Sequence, residues 1–135
     1  MNQFDFDTVE KKLGITLPTF YKNAIINYPF KAQDDLDDIE DSLVCDHKWL
    51  IDENIELREK GFFDQEWPNY FYAFGKDGFG NYYFINLRDD DQSIYFADHE
   101  ETFNYENIEE MRSNWSMDDF IEDQIDIRKE TVSEG

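Results

Sequence analysis

Two histidines, His47 and His99, and the single Cys45 are the residues of this 135-residue chain best suited to acid–base or nucleophilic chemistry. Both histidines adjoin carboxylates, in Asp46-His47 and in Asp98-His99-Glu100. A working acid–base pair must converge on one reacting atom. Asp98 and His99 close a run that reads as a strand, where neighbouring residues project to opposite faces, so they do not converge unaided. The simpler reading packs His99 at a strand end and leaves His47 in a loop. Cys45 and His47 bracket one residue, and no second Cys or His pair completes a tetrahedral zinc site. Asp89-Asp90-Asp91 offers hard oxygen ligands but lacks the Gly and closing Glu of the twelve-residue calcium loop. It reads as a solvated turn, open to adventitious calcium. No catalytic residue, metal ligand or cofactor-binding residue is assigned.

Gly75, Gly78 and Gly80 resemble a phosphate loop only in composition. Phosphate binding needs a helix N-terminus and basic groups, whereas this run leads into a strand, so the glycines serve the chain's conformation. The carboxylates remain. They concentrate at Asp34, Asp35, Asp37, Asp38, Glu40 and Asp41, at Asp89, Asp90 and Asp91, and at Asp118, Asp119, Glu122, Asp123 and Asp126. A run of charge is ordinarily a solvated face. Here 33 acidic against 12 basic residues give a net charge of -21. The excess is uneven: residues 1–31 hold four basic and three acidic groups, while residues 32–135 hold eight and 30. Such a field repels nucleic acid and anionic membranes and attracts cationic partners. It also exceeds what solubility asks of a small domain. The surface expected to meet a basic partner therefore comprises Asp34, Asp35, Asp37, Asp38, Asp89, Asp90, Asp91, Asp118, Asp119 and Glu122. Trp49, Trp67, Tyr72 or Tyr95, where exposed, would serve as anchors.

The elements that position these groups are organised around residues 70–99. Three aromatic and β-branched runs, Tyr70–Gly75, Asn81–Leu87 and Ser93–Asp98, are separated by Gly, Asp, Asn and Gln, which predicts a three-stranded meander. Tyr82 and Phe84 point one way, while Tyr83, Ile85 and Leu87 point the other. Both faces are apolar, so both must be covered. Upstream, Phe6, Val9, Glu10 and Leu13 fall at helical spacing, with Gly14 as a left-handed stop. Pro18 sits in the first turn of a second helix, whose stripe is Tyr21, Ala24, Ile25 and Tyr28, ended by Pro29. The acidic stretch from Ala32 to Asp41 is a loop or a helical turn anchored by Leu36, Ile39 and Leu43. Trp49 to Lys60 predicts a third helix with Leu50, Ile51 and Ile55 inward. Glu100 to Asn114 reads as an edge strand near Phe103 or an irregular connection. Ser116-Met-Asp-Asp119 resembles a capping box opening a helix lined by Phe120, Ile121, Gln124 and Ile125.

One domain over residues 1–135 is expected, with 1–3 and 131–135 frayed. Despite a mean hydropathy of -0.79, 18% of residues are aromatic, enough for ring packing to carry the core. The lone Cys45 leaves no intrachain disulfide, and neither a signal peptide nor a membrane-spanning run is evident, so a cytoplasmic location is expected.

Taken in order, these pieces resemble the SUKH superfamily, the Smi/Knr-like immunity and regulatory domains. Val9-Glu-Lys-Lys-Leu13-Gly14-Ile15-Thr-Leu17-Pro18, continuing to Tyr28, is similar to the family's opening of helix, Gly, Leu-Pro and helix. Phe74-Gly75-Lys-Asp77-Gly78-Phe-Gly80-Asn81-Tyr82-Tyr83-Phe84 is similar to its glycine-turn hairpin. Ile94 to Glu100 resembles the next strand and Ser116 to Ile125 the closing helix. The chain departs from many members at Tyr28-Pro29-Phe30, where they carry a Gly-rich step. The resemblance implies an α+β fold, a central antiparallel sheet flanked by helices, with no catalytic activity and no cofactor. For bacterial members it implies neutralisation of a cognate toxin, frequently a nuclease. A nuclease must present Lys and Arg to phosphates, and an acidic inhibitor can occupy that surface. The alternative it implies is a regulatory scaffold with a cellular protein client.

Overall fold

Gly14 stops the first helix as the sequence predicts, while Pro29, expected to end the second, lies outside the described residues. In the computed structural model, which describes residues 3–28, 47–62, 65–76, 81–88, 92–98, 108–109 and 111–134, helix α1 spans Gln3–Leu13. Phe6, Val9 and Leu13 are buried on one stripe. Gly14 follows at φ 65°, and the Ile15 N–H donates to the Glu10 carbonyl at 3.0 Å, the 6→1 bond of a Schellman cap. Glu10 is no core residue, because its carboxylate accepts the Leu17 N–H at 2.8 Å and Lys22 Nζ at 3.1 Å, fixing the connector. Pro18, at ψ 147°, stands just outside the first turn of α2 (Thr19–Asn27) rather than inside it. Tyr21, Ala24, Ile25 and Tyr28 are all buried, as the stripe requires.

Helix α3 (His47–Lys60) begins two residues before the expected start. It ends at Gly61, φ 76°, whose N–H donates to the Leu57 carbonyl at 2.8 Å. A Cβ at Gly61 would collide with the Gln65 carbonyl oxygen, so this position requires glycine twice over.

The meander is present and gains a strand. β1 (Phe71–Lys76), β2 (Tyr82–Asn86), β3 (Ser93–Ala97) and β4 (Arg112–Ser116) form an antiparallel sheet in sequential order. A bulge falls between Ala73 and Gly75. As the alternation predicts, both faces are covered. Tyr72, Phe74, Ile85 and Ile94 pack with Phe6, Tyr21, Leu50, Met117 and Phe120. Phe71, Ala73, Phe84 and Tyr95 pack with Leu57, Phe62, Trp67 and Met111. The outer edge of β1 is closed by α3: Asn54 Oδ1 accepts the Ala73 N–H at 2.8 Å and its Nδ2 donates to the Ala73 carbonyl at 2.9 Å. One carboxamide thereby stands in for a neighbouring strand.

β4 runs straight into α4 (Met117–Glu134). Ser116 Oγ accepts the Asp119 N–H at 3.2 Å, and an Asp119 carboxylate oxygen accepts the Ser116 N–H at 3.4 Å, the reciprocal pair of a capping box. Ser116→Ala is expected to lower unfolding free energy by about 1 kcal/mol, measured by urea denaturation. The helical backbone continues to Glu134 where fraying from 131 is expected, since neither Gly nor Pro interrupts it before Gly135. Phe103, the alternative edge-strand position, lies outside the described residues.

Candidate protein-binding surface

Amphipathic spacing divides α4 into two sides. Met117, Phe120, Ile121 and Gln124 are buried against the sheet and its helices. Asp118, Asp119, Glu122 and Asp126 are exposed on the outer side, with Asp123 partly so. Asp118 and Asp119 occupy the first turn, where the helix dipole favours negative charge. Glu122, Asp123 and Asp126 have no such local justification. Among the described residues none of these five joins an ion pair; Lys22–Glu10 and Arg112–Glu109 lie elsewhere.

Of the ten carboxylates expected to meet a partner, Asp118, Asp119 and Glu122 therefore share one exposed helix side. Asp34, Asp35, Asp37, Asp38, Asp89, Asp90 and Asp91 lie outside the described residues. The aromatic anchors need correction. Trp67, Tyr72 and Tyr95 are buried in the two cores: strand alternation carries Tyr72 and Tyr95 inward onto covered faces, and Trp67, just before β1, packs among Phe62, Phe71 and Phe84. Trp49 is half-buried, with Lys76 Nζ 5.7 Å from its ring centroid. The exposed tryptophan is Trp115, at 42%. It lines an open groove of about 570 Å³ with Asp119, Glu122, Asp123 and Asp126. Trp115 stands among polar residues in Arg112-Ser-Asn-Trp-Ser, and that isolation is the signal the sequence offered.

Backbone geometry aims it. Ser93 pairs with Ser116 and Tyr95 with Arg112, so residues 113–115 stand opposite Ile94 alone. Ser113 Oγ donates to the Ile94 carbonyl at 2.7 Å and accepts the Trp115 N–H at 3.2 Å, holding the bulge together. Bulges of this kind redirect side chains at sheet edges.

Other chemistry-bearing residues do not assemble. His47 is the first residue of α3 rather than a loop residue, its Nδ1 3.5 Å from an Asp5 carboxylate oxygen. Cys45, Asp46, His99 and Glu100 lie outside the described residues. Among the described residues no group of three His, Cys, Asp or Glu could hold a metal ion, and no helix is long and apolar enough to cross a membrane.

Tyr82 is the strongly perturbed acid. Burial, reinforced by the Glu53 carboxylate that accepts its hydroxyl at 3.2 Å, pushes the phenol well above its ordinary value. The stability that rests on the neutral phenol is complete below the ordinary tyrosine value of about 10. It is lost as pH rises further, because the unfolded chain ionises before the folded one. Tyr82→Phe should therefore flatten the alkaline limb of the stability curve, as read by urea unfolding across that range. The pair is a packing feature of α3 and β2.

No curated protein and no solved structure matches the chain. The family model described as SMI1 / KNR4 family (SUKH-1) matches residues 2–123, covering both opening helices, the sheet and the first turns of α4. The chain belongs to the SMI1 / KNR4 family, SUKH-1.

Proposed function

We propose that this is an immunity protein, which binds a cognate bacterial toxin in the cytoplasm and neutralises it with an acidic surface. Domains of this family are generally immunity proteins rather than enzymes. The observation that carries the charge reading is the imbalance after residue 31, 30 acidic against eight basic groups. The exposed side of α4, whose carboxylates join no ion pair among the described side chains, which in this helix run to Asp126, supports it. A basic nuclease-type toxin is the partner that such a field selects, because the surface a nuclease offers to phosphates is cationic. Long-range attraction can raise association to about 10⁸–10⁹ M⁻¹s⁻¹ at low salt. Inhibition is stoichiometric, without turnover, and the same field keeps nucleic acid and anionic membranes away from the protein itself.

The test is co-expression with the toxin domain encoded beside the gene, followed by co-purification and a toxicity assay. The expected result is a salt-sensitive complex and a silenced toxin. Glu122→Lys with Asp126→Lys should slow association about tenfold or more at low salt, read by stopped flow. A pull-down that returns a housekeeping protein and no toxin would replace this reading with a regulatory scaffold.

A further inference from the structure

A diffuse negative field steers a partner but does not fix where it docks. We propose that Trp115 is the anchor of the docking groove and that the occupant is a lysine- or arginine-bearing segment of a protein partner. This deepens the acidic-surface reading and rests on it. Three observations converge. First, Trp115 is 42% exposed, although the chain buries Trp67 almost completely and half-buries Trp49. The Ser113-held bulge directs it outward, so its exposure is built into the edge strand. Second, the other ring faces with a nearby cation have found it within the chain. The Arg88 guanidinium lies 3.7 Å from the Tyr70 centroid, Lys76 Nζ 5.7 Å from Trp49 and the Arg112 guanidinium 5.2 Å from Tyr95. Trp115 has neither a cation nor another ring over it among the described residues. Third, Asp119, Glu122, Asp123 and Asp126 stand at i, i+3, i+4 and i+7 along one side of α4 and line the same groove.

An indole, the strongest cation–π acceptor among side chains, thus shares an open groove of about 570 Å³ with a row of carboxylates. A guanidinium or ammonium on an aliphatic stem suits both groups, stem and charge on the indole and N–H groups to the carboxylates. A second copy of this chain does not suit the groove, because two bodies of charge -21 repel.

The experiment follows the three indole N–H signals of the ¹⁵N-labelled full chain by NMR at low salt, with an Arg-Gly repeat peptide as probe. Trp115→Ala assigns its signal. The expected result is a saturable shift of the Trp115 indole, stationary Trp49 and Trp67 indoles, and binding about tenfold weaker in Trp115→Ala. The exposed position leaves the fold intact, checked by an unchanged thermal midpoint. If backbone amides report binding while the Trp115 indole stays still and Trp115→Ala binds equally well, the anchor is refuted and the acidic surface stands. If the peptide binds neither protein at low salt, the acidic-surface reading falls too.

Discussion

Asn54→Leu is expected to destabilise the protein by about 3 kcal/mol or more, although the two side chains are of similar size. The Asn54 side chain is fully buried and makes three hydrogen bonds, two with Ala73 and one from Nδ2 to the Leu50 carbonyl at 2.7 Å. Leucine leaves the Ala73 N–H and carbonyl without partners in a dry site, at about 1–3 kcal/mol each. The Leu50 carbonyl adds less, since it keeps its place in the helix ladder. Asn54→Asp separates the contributions. It retains an acceptor for the Ala73 N–H but turns a carboxylate towards two carbonyls. Burial raises the folded carboxyl's pKa above its unfolded value of about 3.9. The Asn54→Asp protein should therefore be least impaired in acid and lose ground to wild type as pH climbs towards neutrality. Urea midpoints at acid and neutral pH measure both effects. Asn54→Leu also uncovers the β1 edge, and concentration-dependent aggregation is expected with it.

Trp67→Ala should lower stability by about 3–5 kcal/mol. The indole is 3% exposed and meets four rings, Phe84 at 5.1 Å, Phe71 at 5.7 Å, Phe62 at 6.0 Å and Tyr82 at 6.3 Å. Three of these contacts are edge-to-face, the arrangement that adds to simple area burial. The thermal midpoint should fall by on the order of 10 °C, followed by circular dichroism. Trp67→Phe should recover much of the loss. An anchor on a binding surface would behave oppositely, weakening the complex while leaving the midpoint where it was. Trp67 and the proposed anchor Trp115 are thus told apart by experiment, the first through the midpoint and the second through binding.

Much of this architecture was legible in residue order. Leu13-Gly14, Leu17-Pro18 and Ser116 to Asp119 each carry a local mechanism, and each marks a helix boundary to within a residue. Aromatic runs broken by turn residues located β1, β2 and β3 to within a residue or two. β4 escaped notice because Ser113, Asn114 and Ser116 supply no apolar alternation, and its bulge breaks the two-residue period in any case. Which aromatics are exposed was illegible for a different reason. In a chain so rich in rings, every aromatic of helix, strand or connection looks equally available, and only tertiary packing decides which ones water reaches. Asn54 carried no signal at all: a polar residue midway along a helix becomes a strand's partner only once the helix has docked.

The direct join of β4 to α4 has a consequence for local unfolding. Ser116 closes the ladder opposite Ser93 and at the same time caps the helix that starts at Met117, whose N–H donates to the Gln92 carbonyl at 2.9 Å. The fourth strand and the first helical turn therefore cannot open separately. Native-state hydrogen exchange should find their amides sharing one opening free energy, a single foldon that detaches from the meander as a unit.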